Sequence, residues 1–400
     1  MPLAIRNVFL IDGKDHWQDR TTVLLDGPRI ASVGPDSRAK FPKDTQVIDA
    51  AGQALLPGLI DCHVHYCLDA SADSIASFER DDPAITAVKA VTHARLTLEA
   101  GITTVRDVGS RDHISISLTR AIREGLVPGP RTLNAGLAIC ITGGHAWFIG
   151  RQADGRDEVV KAVREQVQAG ADLIKFIATG GVLTPGTTPG APQLTFEELQ
   201  AGVREAIRSG RRVAAHAHGA EGIKNAIRAG VHSIEHGTLL DDEALELFLL
   251  HKTFLVPTLS AILSGAEHGK AGGMAAHALQ KCLMMADDLK ANFLKAAHAG
   301  VRIAMGTDAG TPFNVHGQNA QELRRMVQFG FAPMQAIQAA TSSAAALLGL
   351  DQEIGTIEQG KVADLVLIDG NPLDDIAVLE DPDRILKVIQ MGKIVKGALA

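Results

Sequence analysis

Hydrophobic and polar positions divide the chain into stretches of different period. Residues 1–55 alternate over short runs, Ala4–Ile11, Thr21–Leu25, Ile30–Val33 and Gln46–Asp49, punctuated by Asp-Gly at 12–13 and 26–27 and by Gly34-Pro35. Period-two runs bounded by such turn residues predict β-strands. The C-terminal stretch reads the same way, with strands at Ala363–Ile368, Ile385–Met391 and Ile394–Val395. Neither terminal piece could bury a core alone. The two are expected to pair into one small β-sandwich built from both chain termini, residues 1–56 and 353–400; two separate flaps are the alternative.

Between the termini the pattern changes. Apolar runs at Leu59–His65, Thr103–Val108, Thr132–Ile139, Leu173–Ala178, Val213–Ala217, Ser233–His236, Phe254–Leu259 and Arg302–Thr307 alternate with helical patterns such as Asp157–Ala169, Thr195–Ser209, Glu221–Ala229 and Asp241–His251. Several of these helices end in Ala-Gly or Ser-Gly, a C-terminal signal. Strands and helices in that alternation predict the α/β class and a (β/α)8 TIM barrel over residues 57–352. A doubly wound sheet is the runner-up, but no Gly-x-Gly-x-x-Gly follows the first strand. The glycine-rich segment Thr179–Pro192 is expected to form a lid or pocket wall, Leu263–Ala275 a mobile loop, and Ala332–Leu348 a buried helix.

Composition narrows the function. The chain of 400 residues is 46% hydrophobic and 21% charged, which excludes wholesale disorder. A formal net charge of −7 argues against a dedicated nucleic-acid or anionic-membrane binder. No run approaches the roughly 18 apolar residues of a membrane span. The N-terminus lacks the basic-then-apolar pattern of a signal peptide, so a cytoplasmic location is expected. Cys62, Cys67, Cys140 and Cys282 are too few for a disulfide framework and have no metal-ribbon spacing. Histidines, at 15, equal Phe, Trp and Tyr combined and direct attention to metal ligands.

A barrel of this kind carries its chemistry at the C-terminal ends of its strands. The first strand ends Asp61-Cys62-His63-Val64-His65, and alternation puts His63 and His65 on one side. The fourth carries Lys175 inside an apolar run, where an unpaired ammonium is costly; a snorkelling lysine is the bland alternative. The fifth ends His216-Ala217-His218, the sixth Glu235-His236, the eighth Thr307-Asp308. Each alone has a structural explanation. Together, on one face, they point to a metal-dependent site.

These strand ends, with Leu56-Pro57-Gly58-Leu59-Ile60-Asp61-Cys62-His63-Val64-His65, Gly101-Ile102-Thr103-Thr104-Val105-Arg106-Asp107 and the exit segment Gly355–Leu365, resemble the amidohydrolase superfamily, in its metal-dependent dipeptidase and carboxypeptidase-like branch of prolidase-like and ochratoxinase-like enzymes. The resemblance covers nearly the whole chain. It implies two divalent metal ions, zinc before manganese or cobalt, one held by His63, His65 and Asp308 and the other by His216 and His236, bridged by an N-carboxylated Lys175. It further implies that metal-bound hydroxide cleaves the amide bond of an N-acyl amino acid or dipeptide, with ochratoxin-type amides in range, and that Asp308 shuttles the proton. The mononuclear deaminase branch carries a glutamate three residues after the strand-five histidine. Gly219 stands there instead.

Substrate residues are drawn more loosely. His145, on a loop after the third strand, is a catalytic candidate for polarising the carbonyl or binding a carboxylate, against a loop-bracing role. His218 is a substrate-binding candidate against a hydrogen bond to a metal ligand. Arg106 is expected to pair with an acid such as Asp107; Tyr66, the only tyrosine, follows the His-x-His but is not assigned to the ligand. The expected partner is a small-molecule substrate, with no nucleic acid and no membrane, and the protein itself is expected to be a homo-oligomer. A lactone, cyclic-amide or organophosphate hydrolase using the same metals is the alternative enzyme. A degenerate non-catalytic barrel would predict lost ligands, and none of the six is missing.

Overall fold

The computed structural model describes residues 1–398. Two compact units divide the chain: Met1–Asp61 with Leu96–Thr104 and the chain from Gly317 onward, and Cys62–Arg95 with Val105–His316.

In the first unit, alternation in Leu3–Ile11 sends Leu3, Ile5, Val8 and Leu10 into a core shared with Val23, Leu25, Leu55, Leu365, Leu367 and Ile389. One eight-stranded sheet encloses that core. Its order is Lys393–Lys396, Ile385–Gln390, Leu365–Ile368, Ala54–Pro57, Leu3–Ile11, Trp17–Asp26 and Arg29–Pro35, with Gln46–Asp49 paired in parallel to Leu3–Ile11. The two chain ends meet where Ala54–Pro57 runs antiparallel to Leu365–Ile368, Leu56 opposite Val366. The segment Ala332–Leu348 is two short helices, Pro333–Ala339 and Ser342–Leu348, because Thr341 leaves helical backbone with φ −134° and ψ −95°.

The barrel strands are Leu59–Val64, Ile102–Asp107, a third in two pieces, Leu173–Ile177, Arg212–Gly219, Ser233–Leu239, Phe254–Val256 and Arg302–Ile303. Neighbours from the fourth strand onward are parallel, with Lys175 beside Ala214 and His216 beside Glu235. The ring closes where the Cys62 N–H donates to Met305 O and the Asp308 N–H donates to His63 O at 2.7 Å. The third strand breaks at Gly136, whose φ is +66°. Arg131–Asn134 continues the sheet of the first two strands, and Ala138–Cys140 joins the fourth, with Ile139 opposite Phe176. At that positive φ a side chain would be strained, so glycine suits the bend.

The helices follow their sequence signals. Phe196–Arg208 starts on a capping box, Thr195 with Glu198, and buries Leu199, Val203 and Ala206 at helical spacing. Arg156–Ala169 and Ala220–Ala229 stop on left-handed glycines, Gly170 and Gly230. One expectation is corrected. Most of Leu263–Ala275 belongs to the helix Leu259–Gly272, not to a loop. Its glycines make room for a close neighbour: a Cβ on Gly265 would lie 2.7 Å from Cys282 Sγ on the long helix Ala276–His298. Among the described residues, no helix is long and apolar enough to cross a membrane.

Candidate metal centre

The pleat of the first strand puts His63 and His65 on one side of the barrel wall, their ring centroids 5.3 Å apart. Asp308 faces them from the end of the eighth strand. Its Oδ1 is 3.4 Å from both Nε2 atoms, and its backbone is left-handed at φ +61°. His236 is also left-handed, at φ +72°. Such conformations cost about 1–3 kcal/mol each in non-glycine residues and persist where the surroundings impose them, commonly at functional sites. His216, His218 and His236 form a second group. Within each set of three, one ligand atom per residue lies within 4.8 Å of the others.

Hydrogen-bond partners fix which nitrogens carry lone pairs. His63 Nδ1 lies 2.8 Å from Glu235 Oε2, and His65 Nδ1 lies 2.8 Å from Gly109 O. A carboxylate and a carbonyl only accept, so both Nδ1 atoms carry the proton and both Nε2 atoms are bare. His216 Nε2 donates to Gly180 O at 3.0 Å, leaving Nδ1 bare. Thr258 spends its hydroxyl proton on Pro257 O, so its Oγ1 accepts from His236 Nδ1 at 2.6 Å and leaves Nε2 bare. The bare His216 Nδ1 and His236 Nε2 then face each other at 2.9 Å. Two lone pairs at that separation repel unless a cation lies between or beside them. The same pattern, outer nitrogen donating and inner nitrogen bare, is what metal-ligating imidazoles show.

Charge agrees with this geometry. Burial holds His63, His145, His216 and His236 far below the usual imidazole range, His65 down to about 4 and His218 to about 3, so all are neutral near pH 7. Lys175 is 2% exposed, with no hydrogen bond or salt bridge among the described residues. Burial pushes its ammonium down to about 8, partly opposed by the charge of Glu235. Asp308 also favours its charged form, and Arg106 opposes it.

His63, His65, His145, Lys175, His216, His218, His236 and Asp308 all line one pocket of about 720 Å³. Its other walls are largely apolar, including Leu68, Phe148, Ile149, Ile177 and Leu183. His145 Nδ1 pairs with Thr184 Oγ1 at 2.9 Å, and His218 Nδ1 with Thr238 Oγ1 at 2.8 Å. Tyr66 does not line the pocket. Its ring lies beside His316 at 5.3 Å. Arg106 is paired with an acid, but with Glu235 and not Asp107: its NH2 donates to Oε1 at 2.8 Å and its NH1 to Ser233 Oγ at 3.0 Å.

Glu235 was not among the residues picked out from the sequence, although a signal existed. It directly precedes His236 in the strand Ser233–Leu239, and it is fully buried. The threonines that brace the imidazoles, Thr184, Thr238 and Thr258, carry no comparable signal.

The model of the amidohydrolase family matches residues 54–395. Ochratoxinase of Aspergillus niger is 32% identical over 97% of this chain and 85% of its own length. Among solved structures, a Xaa-Pro dipeptidase with methionine bound in its active site is 38% identical, with a TM-score of 0.93 over 99% of this chain and all of that one. A prolidase complexed with N-methylphosphonate-L-proline is 32% identical, with a TM-score of 0.92 over the full length of both chains.

Proposed function

Because the chain belongs to the amidohydrolase family, we propose that it hydrolyses the amide bond of N-acyl amino acids or dipeptides at a centre of two divalent metal ions, with zinc the metal that suits an imidazole-rich donor set. The observation that carries this reading is the set of four bare imidazole nitrogens directed inward beside Asp308 and the buried Lys175. His63, His65 and Asp308 would hold one ion and His216 and His236 the other, with Lys175, carboxylated on Nζ, bridging them. His218 is a further donor available to the second group. When bound, the ions would supply an activated water and polarise the substrate carbonyl.

The chain's own groups do the rest. Asp308 takes the proton of the attacking water on a carboxylate oxygen and passes it to the leaving amine. His145, braced at Nδ1 by Thr184, is placed to hydrogen-bond the developing oxyanion through its other nitrogen. The apolar walls exclude water and accept an apolar acyl group or side chain, which brings ochratoxin-type aryl amides within range. The resemblance to ochratoxinase and to the two dipeptidase structures supports a substrate with a C-terminal amino acid.

The test is amino-acid release from a panel of N-acyl amino acids and dipeptides by metal-replete protein. Free amine should appear with at least one member and vanish on chelation. Turnover of lactones or phosphotriesters alone would refute the amide reading.

A further inference from the structure

The segment that follows Lys175 lies as a strap over the pocket, and its attachment is unusual. Four consecutive carbonyls, those of Gly181, Val182, Leu183 and Thr184, are received by two side chains of one helix. Lys281 Nζ donates to Gly181 O at 2.9 Å, Val182 O at 3.3 Å and Thr184 O at 2.9 Å, which uses all three of its N–H groups. His277 Nε2 donates to Leu183 O at 2.9 Å. Residues 277 and 281 are one turn apart on Ala276–His298 and so share a face.

The strap separates two cavities. Leu183 and Pro312 line both the pocket of about 720 Å³ and a neighbouring one of about 530 Å³ that contains His277. On its inner side the strap also touches the chemistry. A Cβ on Gly181 would lie 2.3 Å from His145 Nε2, and Thr184 braces His145 through Oγ1 while giving its carbonyl to Lys281.

We propose that Lys281 and His277 determine specificity, latching the strap Gly181–Thr184 as the partition that limits the size of the acyl group the pocket admits. The proposal rests on the amide-hydrolase reading for its substrate. With the latch intact, Leu183 ends the pocket. With it released, the strap yields and the two cavities become continuous for a bulkier group. The same release loosens Thr184 and with it His145, so compact substrates lose turnover while bulky ones gain room.

The experiment compares wild type, Lys281→Met and Lys281→Arg in two measurements. The first is amide hydrogen exchange of residues 180–188. The second is kcat/KM for N-acetyl, N-benzoyl and N-(2-naphthoyl) derivatives of one amino acid, with metal content as a control. Lys281→Met should speed exchange across the strap and raise the naphthoyl-to-acetyl ratio about tenfold, a range typical of pocket-size discrimination. Lys281→Arg, which keeps a cation and its donors, should restore both toward wild type. Unchanged exchange in Lys281→Met overturns the latch. Faster exchange with an unchanged ratio overturns the partition. If wild type hydrolyses none of the series, the amide reading fails, and hydrogen exchange alone still decides whether the latch exists.

Discussion

Replacing Glu235 by alanine removes a carboxylate that serves three buried partners. Its Oε2 accepts from His63 Nδ1 at 2.8 Å, and its Oε1 accepts from Arg106 at 2.8 Å and from Ser233 Oγ at 2.5 Å. The carboxylate side chain is 0% exposed and that of Arg106 4%. The variant therefore leaves a guanidinium buried without its counter-ion, a loss of about 3–5 kcal/mol when one partner of such a pair is removed. It also frees His63 to rotate and to take either tautomer, and loss of an outer carboxylate of this kind typically weakens metal binding about 10–100-fold. The two effects separate experimentally. Urea denaturation of metal-stripped protein reads the ion pair alone, because bound metal adds its own stabilisation. Titration of the stripped, folded protein with Zn²⁺ against a competing chelator reads the affinity. The double variant Arg106→Met with Glu235→Gln should recover much of the stability, since no buried charge is left unpaired, but not the zinc affinity. A metal-free Glu235→Ala protein within about 1 kcal/mol of wild type would refute the ion-pair reasoning. Unchanged zinc affinity would refute the orienting role.

Three further outcomes are expected. Gly181→Ala would bring a methyl group to 2.3 Å from His145 Nε2, so kcat/KM for an N-acyl amino acid should fall by about 10²-fold, the scale of losing one oxyanion donor, with metal content unchanged; an active variant would remove His145 from the reaction. Burial pushes the Asp107 carboxyl from its ordinary 3.8 up to about 7, so between those values the folded chain keeps a proton that the unfolded chain has released. That contribution is full below the ordinary value and is lost as pH rises to about 7, and Asp107→Asn should therefore gain on wild type across the window; urea midpoints at about pH 5 and about pH 8 that differ by a constant amount would contradict this. All four cysteines are buried, and burial pushes Cys67, Cys140 and Cys282 up to about 12, so a thiol reagent should label none of the four in the native protein and all of them after unfolding.

The strand ends were legible because two simple constraints coincide there. Period-two alternation assigns His63 and His65 to one side, and a buried apolar run makes any ionisable residue, such as Lys175, stand out. Pairing across the barrel was not legible. Arg106 and Asp107 are neighbours in sequence, but successive strand residues point to opposite sides, and the acid that Arg106 meets lies 129 positions away on another strand. His218 has the same parity as His216, and sequence alone left it between holding substrate and hydrogen-bonding a metal ligand; that it could itself join His216 and His236 as a donor was not read from the sequence. The glycines of Leu263–Ala275 suggested a loop because glycine lowers helix propensity locally, whereas here they allow Leu259–Gly272 to approach Ala276–His298 closely. The strap's latch was hidden for the same reason as the Arg106 pair, since Lys281 lies 97 positions or more from the carbonyls it binds.

The measurement that bears most directly on the proposed centre is metal content per chain, by plasma mass spectrometry, for wild type and Lys175→Ala purified in parallel with added zinc. Near two ions per chain in wild type, and one or fewer in the variant, is the predicted result. One ion in an active wild type, or two retained without Lys175, would contradict it.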